Sequence, residues 1–578
     1  MRQLSSLLLV FGCLISAVPG HAQEYPTDTT HFRHGCLSML LGPNGNLLSD
    51  HHYPEVPALS VDHDQNPATN PSLAFSASIW MGGRDEAGGV RVAGQRYAIQ
   101  GETDFMPGPI LPDGSPPDSA TAAAWARQFY VERKAIERLR EDFLPDRRLD
   151  ATPDASLLGW PARGNPYFEE TQGFPLLDKD LAPFIDADGD GSYDPYRGDY
   201  PAIKGDRAVW WVINDLTPHI FSRSEVPLGF EWRIMVYGTD EEAPLLGQAV
   251  FFEITTTNYG EASMEEAYLG LWMDPDIGCF VDDVIRSHSE YDLAFAHNFA
   301  APDFQRCPAE VESFDTTTNA ALGVKVVDSP SGPDGEPLGL AKFMTATSGN
   351  CDYISALTSP SGPENIYGRL RGYWSDGSAL RFGGAGHWDS TTGPPTDHIF
   401  DQRETEAPEW FYWRQCLADA MLLSVGPLKF APGESHRATF ALYAVMGLEF
   451  REERPEYDTI YRASAVIQRA HEELVETRQA EAMSPYPPLD TLGEESIFAP
   501  VPLPNPTSGP LQILNPSDQA IVQISVYDAA GRIVREVIGS SVLPELDLTG
   551  LPAGVYLIII GAENGATVTR RVVKAPGG

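Results

Sequence analysis

Asp186-Ala187-Asp188-Gly189-Asp190-Gly191-Ser192-Tyr193-Asp194 holds the residue types and spacing in this chain most suited to chemistry. Counted from Asp186, carboxylates fall at positions 1, 3, 5 and 9, glycine at 6 and the Ser192 carbonyl at 7. A hard cation such as Ca2+ takes about six to eight oxygens, and a tightly turning loop with this spacing can wrap most of them around one ion. Without a cation, four carboxylates at close quarters repel one another. Position 12 is Arg197 where an EF-hand has a bidentate Glu, which argues against a helix-loop-helix sensor. Asp199 and Asp206 are candidates for a remaining ligand. The expected ion is Ca2+, with Asp186, Asp188, Asp190, Ser192 and Asp194 around it and a structural role; the plain alternative is a solvated acidic turn.

A second acidic group, Asp274 and Asp276 with Asp282 and Asp283, follows a strand that Trp272 would anchor. Carboxylates two apart at a strand end can converge on Ca2+, although a solvated Asp-rich loop has the same composition. Two histidine groups, His51, His52, Asp62, His63 and Asp64, and His387, Asp389, Asp397 and His398, offer transition-metal donors, but scattered loop histidines are ordinarily solvated. No GxSxG elbow or HExxH pair occurs, and His471-Glu472-Glu473 lacks a second histidine four residues on. A carboxylate pair for glycoside hydrolysis is a property of the fold, so sequence leaves it open. Trp410, Phe411, Tyr412 and Trp413 could stack on sugar, with alternation sending half of them into the core.

The elements that must position these groups read as mainly β. Runs at 208–214, 230–238, 248–258, 267–273, 378–382 and 439–446 are β-branched or aromatic and bounded by Gly, Pro, Asn and Asp. They predict a large antiparallel β-sandwich body with a few helices. Asp118 or Ser119 can cap a helix running to Phe143, with Trp125, Phe129, Ile136, Leu139 and Phe143 on one face. Pro455 precedes a second helix, striped by Ile460, Ala463, Ile467, Ala470 and Leu474. Arg2, the apolar stretch 7–18 and Gly20-His21-Ala22 form a secretory signal, and no other apolar run is long enough to span a bilayer. Cys36, Cys279, Cys307, Cys351 and Cys416 follow it, too widely spread for a disulfide framework; Cys307 and Cys351 are the first candidates for a bridge. A formal net charge of −41 excludes nucleic acid as a partner, since a phosphate binder needs a basic footprint.

The C-terminal end is a module of its own. After Pro504-Asn505-Pro506-Thr507-Ser508-Gly509, Val522, Ile524 and Val526 alternate with polar neighbours, 528–531 is a turn, 555–560 is apolar, and Asn564-Gly565 signals a hairpin. This predicts a small Ig-like β-sandwich. The order PNPTSG, VYDAAGRIV, LDLTGLPAGVYLIII and VTRRVVKA resembles the type A C-terminal sorting domain of type IX secretion in Bacteroidetes-like bacteria. The resemblance implies export through an outer-membrane machine, with the body released or anchored to surface lipopolysaccharide. The segments 78–89, 101–110, 186–215, 269–283 and 425–445 resemble, in that order, a family of large type IX cargo proteins of unestablished function. The acidic loop itself is similar to those of thrombospondin type 3 and dockerin-like repeats, where further ligands come from elsewhere in the chain.

The expected order is therefore a signal peptide at 1–22, a mixed region with one long helix at 23–185, the calcium-loop junction at 186–215, the β-sandwich body closed by a helix at 216–482, a Pro-rich linker at 483–503 and the sorting domain at 504–578. The expected protein is secreted or at the cell surface, stabilised by Ca2+ and engaged by the type IX machinery. A non-enzymatic binding, adhesion or matrix role, with lipopolysaccharide or extracellular glycan as partner, stands first; a secreted hydrolase acting on polysaccharide or protein is the alternative.

Overall fold

Alternation decides the architecture. In the strand Phe230–Gly238, Phe230, Trp232, Ile234 and Val236 enter one apolar core while Glu231, Arg233, Met235 and Tyr237 take the other face. The same period sends Ile79 and Met81 inward from Ser72–Asp85, and Leu269, Leu271 and Met273 inward from Met264–Pro275. Each such side chain contributes about 1.5–3 kcal/mol by leaving water, so the two sheets that carry them are driven face to face.

A computed structural model describes residues 30–49, 58–61, 72–97, 102–239, 248–278, 283–298, 320–346, 360–402, 410, 420–446, 450–451, 454–455, 457–483, 485–486, 501–503, 507–514, 520–528, 532–541, 545–563 and 567–575. The chain divides into two units, 1–485 and 486–578.

In the first unit, one nine-stranded sheet runs Thr30–His34, Leu37–Leu41, Asn46–Ser49, Ser72–Asp85, Met264–Pro275, Met421–Phe430, Lys342–Thr345, with two short strands attached. The other, also nine-stranded, runs Asp283–His288, Leu293–Asn298, Ala320–Asp328, Ser435–Met446, Ala249–Asn258, Phe230–Gly238, Arg207–Asn214, Met106–Pro107, with Phe129–Glu132 also on Arg207–Asn214. Pairing is antiparallel throughout, and the main core lies between the two sheets. Ser72–Asp85 pairs directly with Met264–Pro275, so the N-terminal strands belong to the same sandwich as the middle of the chain and form no separate layer.

Both outer faces are covered. Trp80, Trp272 and Leu422 turn away from the main core into a smaller cluster under the helix Pro363–Leu370, which contributes Ile366, Tyr367 and Leu370. On the second sheet, the helix Asp458–Met483 buries Ile460, Ala463, Ile467, His471 and Leu474, and Tyr237 Oη lies 3.0 Å from His471 Nε2. Ala470 is only half-buried.

The helix expected to run to Phe143 is broken. Ser119–Trp125 and Arg133–Phe143 are separate helices, and between them Phe129–Glu132 is a strand, with Trp210 opposite Phe129 and Arg207 opposite Glu132. The run Phe-Tyr-Val-Glu suits a pleated surface, and pairing with a ready strand edge outweighs helical continuation. Trp125, Phe129, Ile136, Leu139 and Phe143 are all buried nonetheless. The run 378–382 is not a strand either; Ala379 and Arg381 form only isolated bridges, to Tyr373 and Pro395.

In the second unit, a three-stranded sheet, Val501–Leu503, Pro510–Leu514 and Glu545–Asp547, accompanies a four-stranded one, Ile533–Ser541, Ile521–Tyr527, Gly554–Ala562 and Thr567–Lys574. Leu511, Ile513, Ile524, Val526, Leu546, Tyr556, Ile558, Ile560 and Val572 fill its core. A register shift between Ile521 and Gln523 buries Ile521 and leaves Val522 half-exposed. Val501–Leu503, expected in the linker, is an edge strand of this unit, a position where Pro502 costs no interior ladder bond.

Candidate metal centre

The acidic loop lies between two short strands, Phe184–Ile185 and Tyr200–Pro201, which pair and bring its ends together. Gly189 and Gly191 take left-handed φ values of 76° and 79°, which a residue with a Cβ adopts only at a cost. Those turns aim backbone N–H groups inward: Gly189 N and Asp190 N donate to Asp186 Oδ1 at 2.8 and 3.2 Å, and Gly191 N donates to Asp186 Oδ2 at 2.9 Å. The Asp186 carboxylate is thereby fixed before any ligand arrives.

Asp199 completes the arrangement from the far strand end. It is fully buried, and its two oxygens accept from Ala187 N and Asp194 N, each at 2.8 Å. One oxygen each of Asp186, Asp188 and Asp199 lie within 4.8 Å of one another. Burial pushes the Asp199 carboxyl up to about 6, with the charges of Asp188 and Asp186 adding to the rise and the two backbone bonds opposing it. Three hard oxygen donors, one of them buried, fit a divalent cation of the calcium class.

The other expected ligands take different partners. Asp190 accepts from Ser192 N at 2.8 Å, and Asp194 accepts from Tyr196 N at 2.9 Å, capping the short turn Pro195–Arg197. Arg197 bridges the outer side, its Nε 2.8 Å from Asp188 Oδ2 and its Nη1 2.7 Å from Asp190 Oδ2. The residue in place of the EF-hand Glu thus supplies positive charge to the carboxylates. Asp206 is engaged elsewhere, accepting from Thr239 Oγ1 at 2.9 Å.

Asp274 is buried, accepts from Tyr97 Oη at 2.7 Å, and is pushed up by burial to about 6. Asp283 accepts from Ile277 N at 2.9 Å, and Asp276 N donates to Leu73 O at 3.1 Å. Asp282 lies outside the described residues, as do His51, His52, Asp62, His63, Asp64, Cys279, Cys307, Cys351, Cys416, Phe411, Tyr412, Trp413 and residues 1–29. In the second histidine group, His387 Nε2 lies 3.0 Å from Asp376, His398 Nε2 lies 2.8 Å from Leu340 O, and Asp397 pairs with Lys342. Trp410 packs its ring 4.9 Å from Phe382 and 5.4 Å from Phe400.

Two buried charge groups escape a reading of the sequence. His219, Asp104 and Asp215 are all buried; His219 Nε2 is 3.4 Å from Asp215 Oδ2, and Nδ1 is 4.0 Å from Asp104 Oδ2. Burial alone would lower the imidazole, but hydrogen bonding to Asp215 and the charges of Asp215 and Asp104 outweigh it and raise it to about 9. Asp104 also accepts from Gly94 N, Phe221 N and Ser222 N, and Asp215 from Leu228 N and Phe230 N. Ser222 Oγ is 3.4 Å from His219 Nδ1 and donates to Val92 O at 3.3 Å, so the group is held as a latch between loops. Buried Glu231 is the second centre, accepting from Ile110 N at 2.9 Å, Arg233 Nε at 2.9 Å and Lys179 Nζ. The only trace of these latches in the sequence is an acid inside an apolar or turn context, as in Thr103-Asp104-Phe105 and Asn214-Asp215-Leu216.

Residues 503–575 match the family described as Secretion system C-terminal sorting domain. No curated protein matches the chain. Among solved structures, a polysaccharide lyase is similar at 11% identity and a TM-score of 0.15, over 60% of this chain. The chain spans 34% of the length of that lyase. Among the described residues no helix is long and apolar enough to cross a membrane. The terminal unit marks the chain as type IX cargo, recognised by that machinery and exported to the cell surface or extracellular space.

Proposed function

We propose that the exported body is a calcium-stabilised, non-enzymatic binding component of the cell surface or extracellular matrix, with glycan as its partner. The observation that carries the calcium part is the convergence of Asp186 and Asp188 on buried Asp199, which forms no ion pair among the described residues. Ca2+ would supply the missing charge and tie the loop to both neighbouring strands. The non-catalytic part is supported by how the buried titratable groups are used: Asp104, Asp215, His219 and Glu231 each hold backbone amides or a counter-charge. Groups so engaged are poor acids and bases for a substrate.

The test is a screen of the calcium-loaded full chain against polysaccharides, scored for retention and for new reducing or unsaturated ends. Retention without cleavage is expected. Release of chain ends would overturn the non-enzymatic reading in favour of a secreted hydrolase or lyase.

A further inference from the structure

Trp388 is 56% exposed, the most exposed aromatic side chain among the described residues. An indole at such a position gains little from burial, yet it is held firmly. Its Nε1 donates to Asp376 Oδ2 at 3.2 Å, and its ring lies 5.3 Å from that of His387. His387 is itself buried and places Nε2 3.0 Å from the same Asp376 oxygen, while its ring packs 6.2 Å from that of buried Trp374. The other Asp376 oxygen accepts from Ser378 N at 2.9 Å and Ser378 Oγ at 2.7 Å. Beneath them, Trp374 Nε1 donates to Gly386 O at 2.8 Å, and the Arg369 guanidinium lies 4.6 Å from the Trp374 ring centre. The sequence thus builds a layered support whose effect is to present one indole ring to solvent in one orientation.

We propose that Trp388 is a stacking platform for a neutral pyranose of an extracellular polysaccharide, a site that rests on the glycan-binding reading above and localises it. A pyranose offers an apolar C–H face with a hydroxyl rim, the match of an apolar ring in a polar surround. The groups shown at the ring are polar: Asp376 accepts from its Nε1, and exposed Asp389 and Thr392 follow it in the chain. A protein partner would instead call for a contiguous apolar patch of several hundred Å². Asp376 beside the ring, exposed Asp389 next to it in the chain, and a net charge of −41 repel an anionic glycan and so select a neutral one. Because the ring is already fixed, binding costs little side-chain entropy.

The experiment is affinity electrophoresis of the full chain through gels containing a β-glucan, a xylan or a mannan, with an alginate gel as the anionic control. Wild-type protein should be retarded in at least one neutral gel and not by alginate. Trp388→Ala should bind about tenfold more weakly at unchanged Tm, and Trp388→Phe should retain most of the retardation. Equal retardation of wild type and Trp388→Ala would overturn this site while leaving glycan binding in place. Absence of retardation in every neutral gel would overturn both.

Discussion

Asp199 and Asp186 face one another across the acidic loop, a buried carboxylate from one strand end and a backbone-pinned carboxylate from the other, with oxygens within 4.8 Å. Two anions held this close, one of them out of water, are a cost the folded chain carries until something positive offsets it.

That cost has a sign in pH. The Asp199 carboxyl is raised from 3.8 to about 6, so the folded state binds its proton more tightly than the unfolded chain does. Metal-free protein should therefore gain stability from Asp199 as pH falls from about 7 towards 5, and Asp199→Asn should lose this component. Urea titrations of both proteins in chelator check it. Calcium affinity should move the opposite way, falling as pH drops through about 6, because the proton and the ion compete for the same oxygens.

The His219 latch has the reverse dependence. Its folded value, about 9, lies above the ordinary 6.5, so its contribution is complete below about 6.5 and is lost as pH rises through about 9. His219→Phe leaves Asp104 and Asp215 buried without the imidazolium, and should cost about 3–5 kcal/mol in urea unfolding. The variant's stability should also be flatter between pH 6.5 and 9 than that of wild type.

Glu481 ties the end of the helix Asp458–Met483 to the outer helical layer. It lies 3.3 Å from Arg133 Nη1, 3.9 Å from Arg140 Nη1 and 3.1 Å from Arg478 Nη1. Glu481→Gln should cost about 1–2 kcal/mol, since three guanidinium groups, one of them buried, would lose a shared counter-charge. Limited proteolysis should show faster cutting near the helix end in the variant.

Removal of residues 501–578 takes away all seven described strands of the terminal unit, including the edge strand Val501–Leu503. Cells making the truncated chain should retain it in the periplasm. Surface labelling and culture-fluid immunoblots check this, with full-length protein as the positive control.

Much of the fold was legible because strands buried on one face write their period into the residues, as Phe230–Gly238 does. The break at Phe129–Glu132 was not legible, because its cause is the edge of Arg207–Asn214, far along the chain. The loop was legible as a donor set for the same reason that local spacing is. That Asp199 closes it, while Arg197 pairs with both Asp188 and Asp190 and Asp194 caps Tyr196, depends on how the turn is wound, which spacing alone does not determine. The latch of Asp104 with His219 joins residues more than a hundred apart, and no local pattern encodes such a meeting.

The most direct measurement is the Tm of the full chain in calcium and in excess chelator, for wild type and Asp199→Asn. A dissociation constant one hundredfold below the calcium concentration corresponds to about 2.7 kcal/mol of stabilisation, a shift of several degrees. The account predicts that rise in wild type and its loss in Asp199→Asn. A wild-type Tm that is the same in calcium and in chelator would contradict it.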